Sequence, residues 1–174
     1  MALAKSDNLV IYVMVGVPAS GKSTWAKDKM TDALLKPMAY LESDAVRFML
    51  TGGHPTWAPQ EHRMLFDTMN AMARNLVING FSLIYDSTGN TRRAREDVLK
   101  LGKWVGARMI GVVMNTPIST CLTRDKDSNR LSNGRSVGED VINKSAAKFE
   151  TPTADEGFDE ILILNTGTGM GAVE

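Results

Sequence analysis

The sequence predicts an α/β fold, a parallel sheet of about five strands sandwiched by helices. Three observations lead there. Short apolar runs alternate with stretches of helical periodicity, the pattern of repeated strand–helix–strand units. The first run, Leu9–Val15, is nearly continuous and rich in β-branched residues, as a strand buried on both faces must be. The chain has 174 residues, 43% apolar and 23% charged, with zero formal net charge. That is one domain's worth, able to bury roughly 70% of its unfolded surface.

The same arithmetic excludes several classes. The lone cysteine, Cys121, allows no intrachain disulfide, and His54 and His62 fit no zinc spacing. The longest apolar run falls far short of the ~20 residues that cross a membrane. No small-residue cleavage site follows it, so the expectation is a soluble protein in a reducing, cytoplasmic compartment with no membrane partner. Balanced charge argues against wholesale electrostatic binding of nucleic acid but permits a local basic groove. The oligomeric state is left open.

Each element then follows in order. Ser23 to about Ala33 reads as a helix stopped before Pro37, Met38–Glu42 as a short strand, and Asp44–Leu50 as a short helix ended by Gly52 and Gly53. Pro59 opens a long helix to about Asn79, with Leu65, Met69, Met72 and Leu76 as its apolar stripe. Phe81–Asp86 is the third strand, Arg92–Val105 a helix and Arg108–Met114 the fourth strand. Ile118–Arg124 begins another helix. The polar stretch Lys126–Gly138, carrying Arg130, Asn133, Gly134 and Arg135, reads as a mobile flap. A helix over Val137–Phe149 and a strand over Glu160–Leu164 complete a single domain spanning 1–174. Its core is about 9–164, its Arg-rich lid about 124–138 and its frayed tail 167–174.

Between the first strand and the first helix stands Gly16-Val-Pro-Ala-Ser-Gly21-Lys22-Ser23, a full match to G-x-x-x-x-G-K-[ST] in the context the motif requires. Gly16 and Gly21 permit backbone conformations and close approaches that a side chain would block. Backbone N–H groups of the loop and the helix N-terminus favour a bound phosphate. Gly16, Ala19, Ser20, Gly21, Lys22, Ser23 and Thr24 are therefore the candidate ATP-binding residues. Lys22 would charge-stabilise the β- and γ-phosphates, and the Ser23 hydroxyl is the candidate Mg²⁺ ligand. A guanine-specific reading fails. Asp86-Ser87-Thr88-Gly89 reads D-x-x-G, but the nearest approach to N-K-x-D, Asn143-Lys144-Ser145-Ala146, lacks the aspartate.

The second strand ends in Glu42-Ser43-Asp44, beyond which ligands bind in an open parallel sheet. Ser43 or Asp44 can cap the short helix. Asp44 and Arg47 share one helical face. A carboxylate and an arginine opposite a triphosphate suit transfer to a hydroxyl, Asp44 as proton acceptor and Arg47 as grip on an anionic part of the acceptor. Arg92, Arg93 and Arg95 follow the third strand at the substrate end, whereas Arg74, Lys100, Lys103 and Arg108 read as solvated surface. His54 and Trp57 could stack on a nucleobase, and Trp57 could equally pack beneath its loop.

Gly-Lys-Ser-Thr-Trp-Ala (21–26), Ser43-Asp44 with Arg47, Asp86-Ser87-Thr88 with Arg92-Arg93, Arg124 to Arg130, and Phe149-Glu-Thr-Pro with Glu156-Gly-Phe together resemble the 5′-hydroxyl polynucleotide kinases. The resemblance covers about residues 9–164. It implies a kinase-like phosphate-loop fold, ATP and Mg²⁺ as cofactors, and the 5′-OH ends of nucleic acid as substrate. It also implies catalytic roles for Asp44, Lys22 and Arg130. Arg124 and Arg130 would reach the donor phosphates, with Arg135 a further lid candidate. On the substrate side it points to Arg47, Asp86, Ser87, Thr88 and Arg92. One departure stands out. The family often has two acidic residues, or Ser-Asp, at the end of the third strand, where this chain has Asp86-Ser87. The orienting aspartate is then displaced by one position or replaced by Ser87. The nearest rival reading is a related kinase for a nucleoside or nucleotide, a sugar or a hydroxymethylated DNA base. A rival of another class is a non-catalytic ATP-binding module.

Overall fold

In a computed structural model, residues 9–32, 37–52, 59–127 and 136–167 are described. The expected elements are present in order: β1 (Val10–Val15), α1 (Lys22–Asp32), β2 (Met38–Glu42), α2 (Ser43–Thr51), α3 (Pro59–Ile78), β3 (Ser82–Asp86), α4 (Arg92–Val105), β4 (Arg108–Asn115), α5 (Ile118–Lys126), α6 (Glu139–Ala147) and β5 (Glu160–Asn165). A single 3₁₀ turn, Ala154–Glu156, precedes β5. Most of the lid (128–135), the loop 53–58 with His54 and Trp57, and the tail from 168 lie outside the described residues.

All four strand pairs are parallel, in the order β2-β3-β1-β4-β5. Alternation along β1 sorts its side chains between two layers. Ile11 and Val13 join Leu65, Met69, Leu83 and Val98 beneath α3 and α4. Met14 joins Ile84, Val112 and Ala26 beneath α1. The methionines expected as core filler in α3 behave so, Met69 being fully buried and Met72 packed against the same layer. A smaller cluster of Val17, Cys121 and Ile142 fastens α5 and α6 to the loop after β1.

This topology creates the crevice. Neighbouring strands β1 and β3 lead into α1 and α4, which cover opposite faces of the sheet. The backbone therefore diverges at their carboxyl ends and leaves room for a ligand.

Two local expectations change. β2 runs into α2 without a loop, so Ser43 and Asp44 already sit inside the first helical turn. The N-cap position falls to Glu42, which makes no side-chain cap. The helix expected over Val137–Phe149 is shorter, Glu139–Ala147. Among the described residues, no helix is long and apolar enough to cross a membrane.

Candidate active site

The loop from Gly16 to Gly21 closes tightly over the end of β1. A Cβ at Gly16 would stand 2.7 Å from Ser20 Oγ and 3.1 Å from Met114 Cβ. Ala19 holds φ +61° and Gly21 φ +105°. A non-glycine residue in the left-handed region costs free energy and persists only where its surroundings over-determine it, typically at ligand clamps. Here the clamp comes from behind. The Ser20 carbonyl accepts from Thr116 Oγ1 at 2.8 Å, Thr166 Oγ1 at 3.0 Å and Arg124 Nη1 at 3.2 Å. The ends of β4 and β5 and the helix α5 thus hold one peptide of the loop. Arg124, a candidate for the donor phosphates, lies against the phosphate loop.

Lys22 folds over the loop and donates from Nζ to the Gly16 and Val17 carbonyls, both at 2.9 Å. Burial pulls its pKa down, against the opposing fields of Asp86, Asp44 and Glu42.

Ser23 Oγ lies 3.1 Å from Asp86 Oδ2 and 3.2 Å from Glu42 Oε1. Tyr40 donates its hydroxyl to the same Asp86 oxygen at 2.8 Å. Glu42 and Asp86 face each other in the β2–β3 register, and Tyr40, two residues before Glu42, shares its face. Burial and the neighbouring Asp86 push the Glu42 carboxyl above its ordinary range. Burial likewise raises Asp86, outweighing Lys22, Tyr40 and Ser23. Two carboxylates held too basic beside a serine hydroxyl form a hard-oxygen set short of positive charge, which fits Mg²⁺.

Asp86, expected on the substrate side, lies 3.1 Å from Ser23 Oγ at the phosphate loop, because β3 is the direct neighbour of β1. Ser87 is buried, and the Thr88 carbonyl accepts the Gly16 N–H at 3.3 Å, so Thr88 backs the loop. Glu42 and Tyr40 were missed in the sequence. Only strand pairing places them, and the one local hint was an acidic residue ending β2.

Asp44 and Arg47 sit one helical turn apart on α2 and form an ion pair. Asp44 is more than half exposed and Arg47 four-fifths covered. Of the other substrate-side arginines only Arg95 is buried; Arg92 and Arg93 stay more than half exposed in surface ion pairs. Arg92 donates to Asp155 at 2.8 Å while its backbone N–H binds Glu150. Arg93 pairs with Glu96. Arg95 is fully buried, with both carboxylate oxygens of Glu156 at 2.6–2.8 Å. The acidic loop 150–156 packs on the start of α4 and supplies the partners of Arg92 and Arg95. Arg130 and Arg135 lie outside the described residues. The base of the lid is fastened by Asp125, which accepts from Ser136 Oγ at 2.5 Å and from the Val137 and Gly138 N–H groups at 2.9 and 3.0 Å.

Beside the loop, a cleft of about 820 Å³ is lined by Val17, Met114, Pro117, Phe149, Ile163 and Thr166 among others. Its size and mixed lining are those of a small-molecule site.

Comparison with known proteins bears on the fold. The AAA domain family model matches residues 11–152. The L-seryl-tRNA(Sec) kinase of Methanococcus maripaludis is 24% identical over 153 residues, 86% of this chain. The chain spans only 56% of that relative's length. A chain of the Pnkp1/Rnl/Hen1 RNA repair complex superposes with a TM-score of 0.68 at 21% identity, over 83% of this chain and 46% of that one. The APS kinase CysC of Mycobacterium tuberculosis, in complex with AMPPNP and APS, gives 0.65 at 18% identity, over 89% and 88%. At these identities the structural likenesses speak for the fold. With its phosphate loop, its five-stranded parallel sheet and a family match over most of its length, the chain belongs to the AAA domain family, as a kinase-like phosphate-loop domain.

Proposed function

We propose that this chain is a single-domain, ATP-dependent kinase that transfers the γ-phosphate to the 5′-OH end of DNA or RNA. The observation that carries this reading is the Asp44–Arg47 pair on α2, set at the carboxyl end of β2 beside the Lys22, Ser23, Asp86 and Glu42 cluster. A proton acceptor and an anion grip on one helix, at the carboxyl end of a strand in the sheet that carries a phosphate loop, suit transfer to a hydroxyl next to a phosphodiester. The seryl-tRNA kinase likeness adds support, since that protein's name also places the acceptor on a nucleic acid.

The acceptor oxygen attacks the γ-phosphorus, its bond to the β–γ bridging oxygen breaks, and ADP leaves. The hydroxyl proton passes to Asp44. Lys22 stabilises charge on the migrating group, and Arg124 holds the loop that positions the donor. Arg130, by family resemblance, would reach over the donor phosphates. Ser23, with Asp86 and Glu42, would hold Mg²⁺, which would neutralise phosphate charge when bound. Such transfer has a loose transition state, so placement and electrostatics supply most of the catalysis. The cleft at Val17 and Phe149 suits the donor nucleoside.

The test is transfer of labelled γ-phosphate from ATP to a panel of acceptors. The panel holds 5′-OH and 5′-phosphorylated DNA and RNA oligonucleotides, duplexes with a hydroxymethylated base, seryl-tRNA, nucleosides, nucleotides and sugars. Label on the 5′-OH oligonucleotides, lost when the 5′ end is already phosphorylated, is expected. Asp44→Asn should lower kcat by about 10²–10⁴ while ATP affinity stays within a few-fold. Label confined to another acceptor overturns the assignment, and no label on any acceptor favours a non-catalytic ATP-binding module.

A further inference from the structure

Helix α2 carries a feature that the phosphate chemistry does not use. At 100° per residue, Val46 and Leu50 point into the layer beneath α3, where Val46 is buried and Leu50 packs. Asp44 and Phe48 fall on the other side, at i and i+4, and the four-fifths covered Arg47 lies at the border between the two sides, one turn from Asp44. Phe48 is 67% exposed and the adjoining Met49 60%. Trp104, another exposed ring, has Arg74 over it at 4.7 Å from its centroid, and Phe81 is only 37% exposed. Among the described residues, no aromatic or cationic side chain stacks on Phe48.

We infer that Phe48 is the stacking platform for the nucleobase of the acceptor's 5′-terminal nucleotide. This inference rests on the polynucleotide reading of the same site. The argument is one of spacing along a rigid element. The helix rise puts Arg47 about 4.5 Å and Phe48 about 6 Å along the axis from Asp44. One ribose holds a 5′ oxygen, a 3′ phosphate and a base at comparable separations. With the 5′ oxygen at Asp44 and the phosphate at Arg47, the base comes to the open ring beside them. Stacking on an aromatic face tolerates every base, so the platform adds affinity for a nucleotide end without sequence preference. It also distinguishes a nucleotide from a plain alcohol of equal charge.

The experiment compares two 5′-OH oligonucleotides, identical except that one carries a 5′-terminal abasic residue. kcat/KM for each is measured with the native protein, Phe48→Ala and Phe48→Tyr. A ring so exposed can be truncated without opening the core, and the tyrosine variant keeps the aromatic face. The native protein and Phe48→Tyr should prefer the base-bearing end by roughly 5- to 100-fold. Phe48→Ala should shrink that preference to within about 2-fold, with the abasic acceptor and the KM for ATP unchanged. Equal use of both acceptors by the native protein overturns the platform alone. So does an equal loss for both in Phe48→Ala. Absence of transfer to either oligonucleotide overturns the polynucleotide reading, and the platform with it.

Discussion

Removing the Arg95 guanidinium should destabilise this domain more than any other single change at the start of α4. Arg95 is 0% exposed and Glu156 3% exposed as side chains. The guanidinium meets Glu156 through Nε at 2.8 Å and Nη2 at 2.6 Å, and Nη1 donates to the Gly89 and Glu150 carbonyls at 2.8 and 3.0 Å. Arg95→Met leaves a buried carboxylate without its counter-charge and two carbonyls without their donor. Breaking a buried pair in this way costs about 3–5 kcal/mol. For a domain of this size each kcal/mol shifts Tm by about 2–4 °C, so the fall should be roughly 6–20 °C. The pair itself need not be strongly favourable, because both charges pay desolvation. The double variant Arg95→Met/Glu156→Leu should therefore recover much of the loss. Calorimetric Tm and denaturant midpoints for the two singles and the double, at one pH and ionic strength, give the coupling. A single variant melting within about 3 °C of the native protein, or a double variant as unstable as the sum of the singles, would refute the reasoning. The change also reaches the site, since Gly89 follows Thr88, whose carbonyl holds Gly16.

Three further outcomes are expected. Lys22→Ala should reduce transfer by about 10³-fold or more while the melt stays within a few degrees, because Lys22 contacts only two loop carbonyls; near-native transfer in the folded variant would defeat the phosphate-loop assignment. Glu42 has a raised native pKa, so the native state binds more protons than the unfolded chain between the ordinary carboxylate value near 4.5 and the raised one. Glu42 therefore costs stability as pH rises through that window. Glu42→Gln should melt higher than the native protein at pH 7.5 in the absence of Mg²⁺, with the difference vanishing below about pH 4; a pH-independent difference would contradict the sign. Finally, the native enzyme should use a nucleoside 3′-monophosphate far better than the nucleoside, and Arg47→Ala should narrow that gap mainly by weakening the phosphorylated acceptor. Equal kcat/KM for both acceptors in the native enzyme would remove Arg47 as a phosphate grip.

The sequence by itself determined the elements and the phosphate loop. Apolar runs, helical stripes and glycine stops are local patterns, and Gly16 to Ser23 act as consecutive residues, so their chemistry is written in one stretch. Asp44 and Arg47 were legible for the same reason, being one helical turn apart. Tertiary structure decided which carboxylates stand at the loop and which arginines are available. Glu42 and Tyr40 meet Asp86 and Ser23 only because β2, β3 and β1 lie side by side in one parallel register. Arg95 reads as a substrate-side charge until the loop 150–156, some sixty residues on, folds against α4 and buries it with Glu156, while Arg92, beside Asp155, stays more than half exposed. Such pairings join positions far apart in the chain, and a buried charge takes whichever opposite charge the packing delivers. Local periodicity sets secondary structure because it is a property of neighbours; electrostatic partnership is a property of distance in space, which the chain acquires only when the sheet has formed.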